Sequence, residues 1–337
     1  MKIVRTDANL ETPHVDAELR RLGHDLELLP DGVSEDRLCA AVTDAELLLM
    51  CYQSITARVI AAAPRLKGIV KYGVGIDAID INAAKARGIA VVNIPEYAEQ
   101  TVAEGAFALM ISLAKRLPAL NHTMQTTGWA WPEAQHLGRD IAGSTVGLIG
   151  LGKIGSSMAR MAGLGFRARV LAYSPHTPKE RFDALGVERY EDLHDMLGRC
   201  DFVSIHCVLN PETHHMIGAP ELRAMQRHAC LINVSRGAIV DETALIHALD
   251  DGWIAGAGLD VFSTEPLALK GHPLSPLFGR DNVMLSPHLT FYTHEAMHRL
   301  EAETLERCRE VIEGRPVLVT SGDPRLAGQG PGVRYGA

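Results

Sequence analysis

Three side chains of different chemical type follow three late predicted strands of this 337-residue chain, namely Arg236, Glu265 and His288. An arginine offers a planar guanidinium that binds a carboxylate through two parallel hydrogen bonds. A histidine changes its protonation state near neutral pH, and a neighbouring carboxylate favours the protonated form. Ligands of open α/β sheets bind beyond the carboxyl ends of the strands. The three residues therefore predict a site that binds an anion and moves a proton.

A glycine-rich turn precedes these residues, with glycines at Gly150, Gly152 and Gly155. It joins an apolar strand pattern that starts at Thr145 to a helical pattern at Ser156–Ala162. In this context the first glycine permits a tight turn, the second lets the backbone approach a pyrophosphate, and the third allows close packing of helix and strand. The helix N-terminus presents unbonded amides to the phosphate charge. The turn predicts a site for NAD or NADP.

The residue that closes the next strand bears on which dinucleotide is bound. An NAD-selective site has an acidic residue there, about 20 residues beyond the glycine turn, which hydrogen-bonds the ribose hydroxyls. This chain has Ser174 instead, so no carboxylate repels a 2′-phosphate. Ser174 and Thr177 offer hydroxyl donors, and His176 and Lys179 are further candidate donors. The sequence slightly favours NADPH over NADH.

The predicted elements place these residues in an α/β fold. Short apolar strands alternate with helical segments, which predicts mostly parallel sheets with helices on both faces. Pro95 breaks the first array, and a long helical run follows at Glu99–Arg116, closed by Pro118. A second array starts at Thr145. The predicted strands are Lys2–Arg5, Asp25–Leu29, Glu46–Met50, Gly68–Tyr72 and Ala90–Ile94 in the first array, the strand from Thr145 and Ala168–Tyr173, Phe202–His206, Ala229–Val234, Ile254–Leu259 and Val283–Leu285 in the second, and Val317–Thr320 near the end.

Further motifs complete a pattern that covers nearly the whole chain. They are Tyr72–Asp77 (YGVGID), Thr101–Glu104 (TVAE), Asn233–Gly237 (NVSRG), Gly258–Pro266 (GLDVFSTEP) and Ser286–His288 (SPH). With these motifs and the glycine turn in this order, the chain resembles the D-isomer-specific 2-hydroxyacid dehydrogenase family. The resemblance implies a flavodoxin-like substrate domain and an NAD(P)-binding Rossmann domain, both doubly wound parallel sheets, with a cleft between them. It also implies NAD(P)-dependent interconversion of a small 2-keto acid and its D-2-hydroxy acid.

The resemblance gives each candidate residue a role. Arg236 is expected to bind the substrate carboxylate or keto oxygen, and the backbone amides of Val74 and Gly75 to form a second carboxylate cradle. His288 is expected to protonate the keto oxygen as the hydride reaches the adjacent carbon, and to take the proton back in the oxidative direction. Glu265 is expected to hydrogen-bond His288 and to favour its protonated form.

The cofactor contacts implied by the resemblance lie at the carboxyl edge of the second array. Asp260 is expected to hold the carboxamide of the nicotinamide. The arginine common in strongly NADP-selective relatives is missing, because Pro175 occupies its place. The expected cofactor contacts are Gly150, Gly152, Lys153, Ile154, Gly155, Ser174, Thr177, Cys207, Val208, Thr213, Val234, Ser235, Arg236, Asp260 and His288.

Two long helical runs, Glu99–Arg116 and Glu295–Glu313, are expected to cross between the two domains and to make the first domain discontinuous. The Gly- and Pro-rich tail is expected to be frayed. The resemblance implies a homodimer, with Glu99–Arg116 and the segment after it at the interface. The expected boundaries are 1–98 and 294–320 for the substrate domain, 99–293 for the dinucleotide-binding domain and 321–337 for a flexible tail.

Composition disfavours several other classes of protein. The net charge of −8 and the pI near 6.0 argue against non-specific nucleic-acid binding. No apolar run reaches the roughly 18 residues of a membrane-spanning helix, and the N-terminus has no signal-peptide pattern, so a cytoplasmic protein is expected. The six cysteines include no C-x-x-C pair and are expected to be reduced thiols, and no metal site is predicted.

Two alternative functions stay open. One is oxidation of formate or phosphite within the same superfamily; formate-type relatives pair the histidine with glutamine, so Glu265 disfavours formate but leaves phosphite open. The other is a non-catalytic NAD(H)-sensing protein like the corepressors built on this fold, which keep the three residues but generally carry extra interaction segments. Lys71 is expected either to meet a substrate phosphate or to be solvated, and Trp129 and Trp131 are attributed to hydrophobic packing.

Overall fold

A computed structural model describes residues 1–336. These residues divide into two compact units, one formed by Met1–Ala98 with the described residues from Thr293 onward, and the other by Glu99–Tyr292. None of the helices within residues 1–336 combines the length and the apolar character that a bilayer crossing requires.

Strands and α-helices alternate along both units. The strands are β1 (Lys2–Arg5), β2 (Asp25–Leu28), β3 (Leu47–Met50), β4 (Gly68–Lys71), β5 (Ala90–Asn93), β6 (Thr145–Ile149), β7 (Arg169–Tyr173), β8 (Glu188–Tyr190), β9 (Phe202–Ile205), β10 (Cys230–Asn233), β11 (Gly256–Leu259), β12 (Val283–Leu285), β13 (Val317–Val319) and β14 (Val333–Tyr335). The α-helices are α1 (Pro13–Arg21), α2 (Glu35–Ala41), α3 (Ala57–Ala62), α4 (Ile81–Ala86), α5 (Glu99–Ala114), α6 (Leu117–Thr127), α7 (Lys153–Arg160), α8 (Lys179–Leu185), α9 (Leu193–Leu197), α10 (Ala219–Ala224), α11 (Glu242–Asp250) and α12 (His294–Ile312). The α/β fold class is confirmed.

The first unit contains a parallel sheet in the order β2-β1-β3-β4-β5. This is the flavodoxin-like order, in which ligands bind at the carboxyl ends of the strands near β1 and β3. Strands β3, β4 and β5 are buried along their whole length, which explains why they are apolar except for the buried Lys71 and Asn93 at the ends of β4 and β5. Helix α12 completes this unit: a Cβ placed on Gly68 of β4 would lie 2.8 Å from a methyl group of Val311.

The residues after 320 differ from the expected frayed tail. Strand β14 pairs in parallel with β13. The amide group of Gln329 accepts a hydrogen bond from the backbone N–H of Val91 at 2.7 Å and donates one to its carbonyl at 2.9 Å. The hydroxyl of Tyr335 donates to the carbonyl of the buried Leu326 at 3.0 Å. The expectation of a flexible tail at 321–337 is therefore wrong for the described part, because composition does not show the tertiary partners that hold it.

The second unit contains a seven-stranded parallel sheet in the order β12-β11-β10-β9-β6-β7-β8. Counted from β6, this is the Rossmann order 3-2-1-4-5-6 with one further strand. The strand order reverses between β6 and β9, and dinucleotides bind at that point in sheets of this type. The apolar side chains of its strands pack into two buried clusters.

Helix α6 and strand β8 were not predicted. Pro118 was interpreted as the end of the long helix, yet it lies in the first turn of α6, where its missing N–H is not needed. Arg116 separates α5 from α6 with a left-handed backbone, at φ 51°. Strand β8 is a short polar edge strand, so its residues carry no apolar pattern.

Candidate active site

The glycine turn lies between β6 and α7, at the point where the strand order reverses. Gly150 has a left-handed backbone, with φ 96°, and a Cβ there would lie 2.7 Å from the backbone nitrogen of Cys207. A Cβ on Gly155 would collide with the carbonyl oxygen of Gly150. A Cβ on Gly152 would meet nothing within 4 Å. Two of the glycines are thus required by packing, whereas Gly152 borders open space that a ligand can approach.

Helix α7 begins directly after this space, with Gly152 at its N-cap. The first amides of an α-helix have no partner within the helix and carry partial positive charge. The amides of Ile154 and Gly155 donate to no acceptor among residues 1–336. Lys153 adds a positive charge and pairs with Glu99 at 3.1 Å. The open space, the two amides and the charge fit the pyrophosphate of a dinucleotide.

The end of β7 supplies hydroxyl groups near the same turn. The hydroxyl oxygen of Ser174 accepts a hydrogen bond from the amide of Leu151 at 3.1 Å and lies 2.8 Å from the Thr177 hydroxyl. The two other candidate donors already have carboxylate partners. His176 lies 3.7 Å from a carboxylate oxygen of Glu212, and Lys179 lies 2.6 Å and 2.8 Å from the two carboxylate oxygens of Asp183.

The loop after β9 contains three more of the expected cofactor contacts. The Thr213 hydroxyl donates to the carbonyl of Val208 at 2.7 Å, which closes the loop, and the Val208 side chain is exposed. The Ser235 hydroxyl, after β10, donates to the carbonyl of Cys207. Burial raises the pKa of the Cys207 thiol to about 11, so the thiol is neutral. Val234 is buried next to Ser235.

Arg236 follows β10 in a segment whose backbone is fixed from both sides. The side chain of Asn233 donates to the Arg236 carbonyl at 2.9 Å and accepts from the Ser235 amide at 3.1 Å. A Cβ on Gly237 would collide with the backbone of Phe262, so only glycine allows the two segments after β10 and β11 to approach each other. Arg236 and the segment that contains Glu265 are thus brought together by backbone packing.

Glu265 and His288 form a hydrogen-bonded pair. One carboxylate oxygen of Glu265 lies 2.8 Å from Nδ1 of His288, and the other accepts from the Phe262 amide at 3.0 Å. The side chains of Glu265 and His288 are 32% and 28% exposed, so both remain within reach of a ligand.

The pKa of Glu265 lies below its ordinary value. Burial raises it, because a low-dielectric environment disfavours the charged carboxylate. The hydrogen bond and charge of His288, the amide of Phe262 and the charge of Arg236 act in the opposite direction and outweigh burial. Glu265 is therefore ionised at neutral pH. The three predicted residues interact as one electrostatic group that can bind an anion and hold a proton.

Asp260 lies at the end of β11 and is almost completely buried. Its carboxylate accepts hydrogen bonds from the amides of Leu289 and Thr290, at 3.0 Å and 3.2 Å, and from the Thr290 hydroxyl at 2.6 Å. This role in holding the segment after His288 was not foreseen from the sequence. In the sequence, the only indication of this role is that Asp260 directly follows a strand and that Thr290 lies two residues after His288.

Val74 and Gly75 lie in the first unit, in the loop after β4. Their amides donate to no acceptor among residues 1–336. The loop is fixed by Asn93, whose side chain donates to the Val74 carbonyl at 2.6 Å. Gly73 has φ 152°, a backbone conformation that favours glycine. Adjacent unbonded amides of this kind bind carboxylates.

Three side chains outside the proposed catalytic group, Lys71, Trp129 and Trp131, are placed differently from the expectation. Lys71 is buried and its ammonium donates to the carbonyl of Cys51 at 2.5 Å, so it is not a solvated lysine. Trp129 and Trp131 are 62% and 71% exposed, so hydrophobic packing within the described chain does not account for them.

No group of three or more His, Cys, Asp or Glu side chains within residues 1–336 has an arrangement that could hold a metal ion. All six cysteines are free thiols, four of them buried.

Comparison with known proteins points in the same direction. The family model described as the NAD-binding domain of D-isomer-specific 2-hydroxyacid dehydrogenases matches residues 107–290, a range that contains the glycine turn, Arg236, Glu265 and His288. A glyoxylate reductase of Korarchaeum cryptofilum is 42% identical over 262 residues, which cover 77% of each chain.

Two further relatives differ in how much of them is covered. A D-3-phosphoglycerate dehydrogenase of Mycobacterium bovis is 39% identical over 286 residues, which cover 84% of this chain but 52% of that relative, so this chain spans about half of its length. The crystal structure of D-lactate dehydrogenase from Aquifex aeolicus, in complex with NAD and lactic acid, superimposes with a TM-score of 0.82 at 30% identity and covers 93% of this chain and 96% of that one.

Proposed function

Because this chain belongs to the D-isomer-specific 2-hydroxyacid dehydrogenase family, we propose that it interconverts a small 2-keto acid and the corresponding D-2-hydroxy acid. The observation that supports this best is the 2.8 Å hydrogen bond between Glu265 and Nδ1 of His288. The charge of Arg236 also helps to lower the pKa of Glu265. Reduction of a keto acid requires a proton for the keto oxygen and a cation for the carboxylate. The pair supplies the first, and Arg236 supplies the second.

His288 holds and moves the proton. Because Nδ1 is bonded to Glu265, Nε2 is the ring nitrogen that exchanges a proton with the substrate oxygen. During reduction the imidazolium donates from Nε2 to the keto oxygen, and during oxidation the neutral ring accepts the hydroxyl proton there. The ionised Glu265 stabilises the imidazolium and fixes the orientation of the ring.

Arg236 is the proposed partner of the substrate carboxylate. A guanidinium binds a carboxylate through two parallel hydrogen bonds, which fixes its plane. A carboxylate held in this way fixes the position of the adjacent keto carbon.

The amides of Val74 and Gly75, in the first unit, are proposed as a second carboxylate cradle, because they have no acceptor within residues 1–336.

The glycine turn would hold the cofactor. A nicotinamide dinucleotide supplies or accepts the hydride in this reaction. We assign its pyrophosphate to Gly152 and to the amides of Ile154 and Gly155, and its carboxamide to the Asp260 region. Ser174 closes β7 with a hydroxyl where an NAD-selective site has a carboxylate, which favours NADPH.

A substrate screen with the purified full chain tests the reaction. Glyoxylate, hydroxypyruvate, pyruvate, phenylpyruvate and 3-phosphohydroxypyruvate are assayed with NADH and with NADPH, and the products are analysed on a chiral column. We expect cofactor oxidation with at least one of them and, wherever the product has a stereocentre, the D enantiomer. No turnover of any keto acid, with dinucleotide binding intact, would favour a sensing protein. Formation of NAD(P)H on addition of phosphite or formate would favour the other dehydrogenase activity.

We also propose that the protein is a homodimer joined through α5, α6 and the segment that follows. Trp129 and Trp131 lie in that segment with most of their surface exposed and their rings in edge contact, at a centroid distance of 6.2 Å. Exposed tryptophans are enriched at protein interfaces, where they bury large apolar areas. Sedimentation velocity is expected to show a dimer, and a monomer at micromolar concentration would contradict this proposal.

A further inference from the structure

We propose that Arg181 binds the 2′-phosphate of NADP(H) and is the residue that sets the preference for this cofactor. The inference rests on the proposed function, because it concerns the cofactor of that reaction. Arg181 lies six residues beyond Pro175, which occupies the place of the arginine common in strongly NADP-selective relatives.

The position follows from the Rossmann topology. The adenosine ribose of a dinucleotide lies at the carboxyl end of the second strand of such a sheet, next to the glycine turn. That strand is β7 here, and Ser174 and Thr177 follow it with their hydroxyls 2.8 Å apart. Neither residue is acidic, so these two positions offer hydroxyl donors to a phosphate on the 2′-oxygen and add no negative charge that would repel it.

Three side chains that can carry a positive charge, His176, Lys179 and Arg181, follow Ser174 within one loop and the first turn of α8. Two of them have carboxylate partners: His176 lies near Glu212, and Lys179 is held by both oxygens of Asp183. Arg181 forms no ion pair with a carboxylate among residues 1–336. It is therefore the cation in this segment whose charge is not already balanced.

Leu151 of the glycine turn connects Arg181 to Ser174. Its amide donates to the Ser174 hydroxyl at 3.1 Å, and its carbonyl accepts from Nη1 of Arg181 at 3.3 Å. The Arg181 guanidinium and the Ser174 hydroxyl are thus both hydrogen-bonded to the backbone of Leu151. The other nitrogens of the guanidinium, Nε and Nη2, bond to no residue within 1–336. Arg181 can bind a phosphate while it keeps the Leu151 carbonyl.

The chemistry of the side chain suits this role. A guanidinium presents five N–H donors in a fixed plane and binds phosphate through paired, charge-assisted hydrogen bonds. Arg181 is exposed, so the ligand does not have to displace packed residues. A purely structural role, in which Arg181 only caps the Leu151 carbonyl, would support both cofactors equally. The two roles therefore predict different ratios of the dissociation constants for NADP⁺ and NAD⁺.

The experiment compares Arg181→Gln with the matched control Lys179→Gln. Glutamine keeps an N–H donor for the Leu151 carbonyl but removes the charge, and Lys179 lies in the same turn with its charge balanced by Asp183. Dissociation constants for NADP⁺, NAD⁺, 2′,5′-ADP and 5′-AMP are measured by calorimetry in the absence of any keto acid. Steady-state rates with NADPH and NADH are measured wherever a keto acid is turned over.

We expect Arg181→Gln to raise the dissociation constants of NADP⁺ and 2′,5′-ADP by about tenfold or more, the scale of one charge-assisted interaction. Those of NAD⁺ and 5′-AMP should rise by less than about threefold. Lys179→Gln should leave all four within about twofold. Ser174→Asp places a carboxylate beside the guanidinium, and should reverse the preference toward NAD⁺.

Equal weakening of NADP⁺ and NAD⁺ in Arg181→Gln, or no change in either, would overturn the role of Arg181. Tight binding of NAD⁺ by the unmodified protein with no binding of NADP⁺ would do the same and would leave the proposed reaction intact. Binding of neither dinucleotide would instead contradict the proposed function itself. A wrong assignment of the keto acid does not affect the binding measurements, so the two failures are distinguishable.

Discussion

Asp260 holds the backbone directly after His288. Its buried carboxylate accepts two amide hydrogen bonds and one hydroxyl hydrogen bond from Leu289 and Thr290. His288 itself has a left-handed backbone, with φ 59°. This conformation costs a non-glycine residue about 1–2 kcal/mol, and it persists only where the surroundings enforce it. Asp260 supplies that enforcement and so determines how the imidazole meets Glu265.

Asp260→Asn tests this relationship. The side-chain amide of asparagine would point N–H donors at the backbone N–H groups of Leu289 and Thr290. We therefore expect the free energy of unfolding to fall by about 1–3 kcal/mol. We also expect kcat to fall under conditions in which the variant is fully folded, because the turn that carries His288 relaxes. Urea unfolding and steady-state kinetics measure the two effects. The exposed Asp251, at the end of α11, is the control: Asp251→Asn should change neither.

His288→Ala removes the proposed acid and base. We expect kcat to fall by about 10²-fold or more, the scale of a positioned acid–base group, while the dissociation constant of the dinucleotide changes little. The exposed His247 on α11 serves as the matched control, and His247→Ala should keep full activity. Unchanged turnover by His288→Ala on every keto acid that the unmodified enzyme reduces would contradict the assigned role.

Glu265→Gln tests the pairing of Glu265 with His288. The pKa of Glu265 is lowered, against the effect of burial, by the hydrogen bond and charge of His288, so the wild-type partner of the imidazole is a carboxylate. Glutamine keeps the shape but removes the charge, so we expect kcat for keto-acid reduction to fall by about tenfold or more, the scale of one charge-assisted hydrogen bond. Glu242, which accepts from the Ser263 amide at 2.7 Å in the same loop region, provides a control. Glu242→Gln should keep kcat unchanged in steady-state assays, and an equal loss in both variants would refute this explanation.

Two glycine substitutions separate packing from ligand binding. Gly155→Ala should unfold or strongly destabilise the second unit, because its Cβ would collide with the Gly150 carbonyl. Gly152→Ala should fold with a melting temperature close to that of the unmodified protein, because nothing lies within 4 Å of its Cβ. It should nevertheless weaken dinucleotide binding by about tenfold or more, because the methyl group occupies the space assigned to the pyrophosphate. Calorimetry and thermal unfolding distinguish these outcomes, and normal affinity in Gly152→Ala would remove the pyrophosphate from this position.

His206 makes stability depend on pH. Burial lowers the pKa of His206 to about 4, its Nε2 lies 2.9 Å from the Ser204 hydroxyl, and its Nδ1 is buried without a partner among residues 1–336. In the unfolded chain the imidazole has an ordinary pKa of about 6.5, so between pH 6.5 and pH 4 the unfolded state binds more protons. The contribution of His206 to the free energy of unfolding is therefore highest above pH 6.5. It decreases as the pH falls, and the loss due to His206 is about 2 kcal/mol at pH 5.

Urea unfolding at pH 7.5 and pH 5 measures the effect of His206, with His206→Gln as the comparison. The variant has no imidazole to protonate, so its loss of stability between the two pH values should be smaller by about 2 kcal/mol. Equal losses in the two proteins would show that His206 does not titrate in this window.

The parallel arrangement of both sheets could be anticipated because it depends on local patterns. Apolar runs such as Leu47–Met50 indicate strands buried on both faces, and helical segments between strands require parallel connections. Elements whose signals are ambiguous were missed. Pro118 fits both the end of one helix and the start of the next, and the polar Glu188–Tyr190 becomes a strand only because β7 lies beside it.

The sequence alone determined the chemical types in the site, their order and the strand ends that carry them, because these depend on spacing along the chain. It could not determine pairings between distant residues, because these depend on strand order and on the approach of separate backbone segments. The pairing of Glu265 with His288 was expected only from the family resemblance, and the tertiary structure places the two side chains 2.8 Å apart across 23 residues. Only the tertiary structure decided that Asp260 holds the turn after His288. It also placed the Arg181 guanidinium 3.3 Å from the Leu151 carbonyl, a contact across 30 residues that no local pattern indicates.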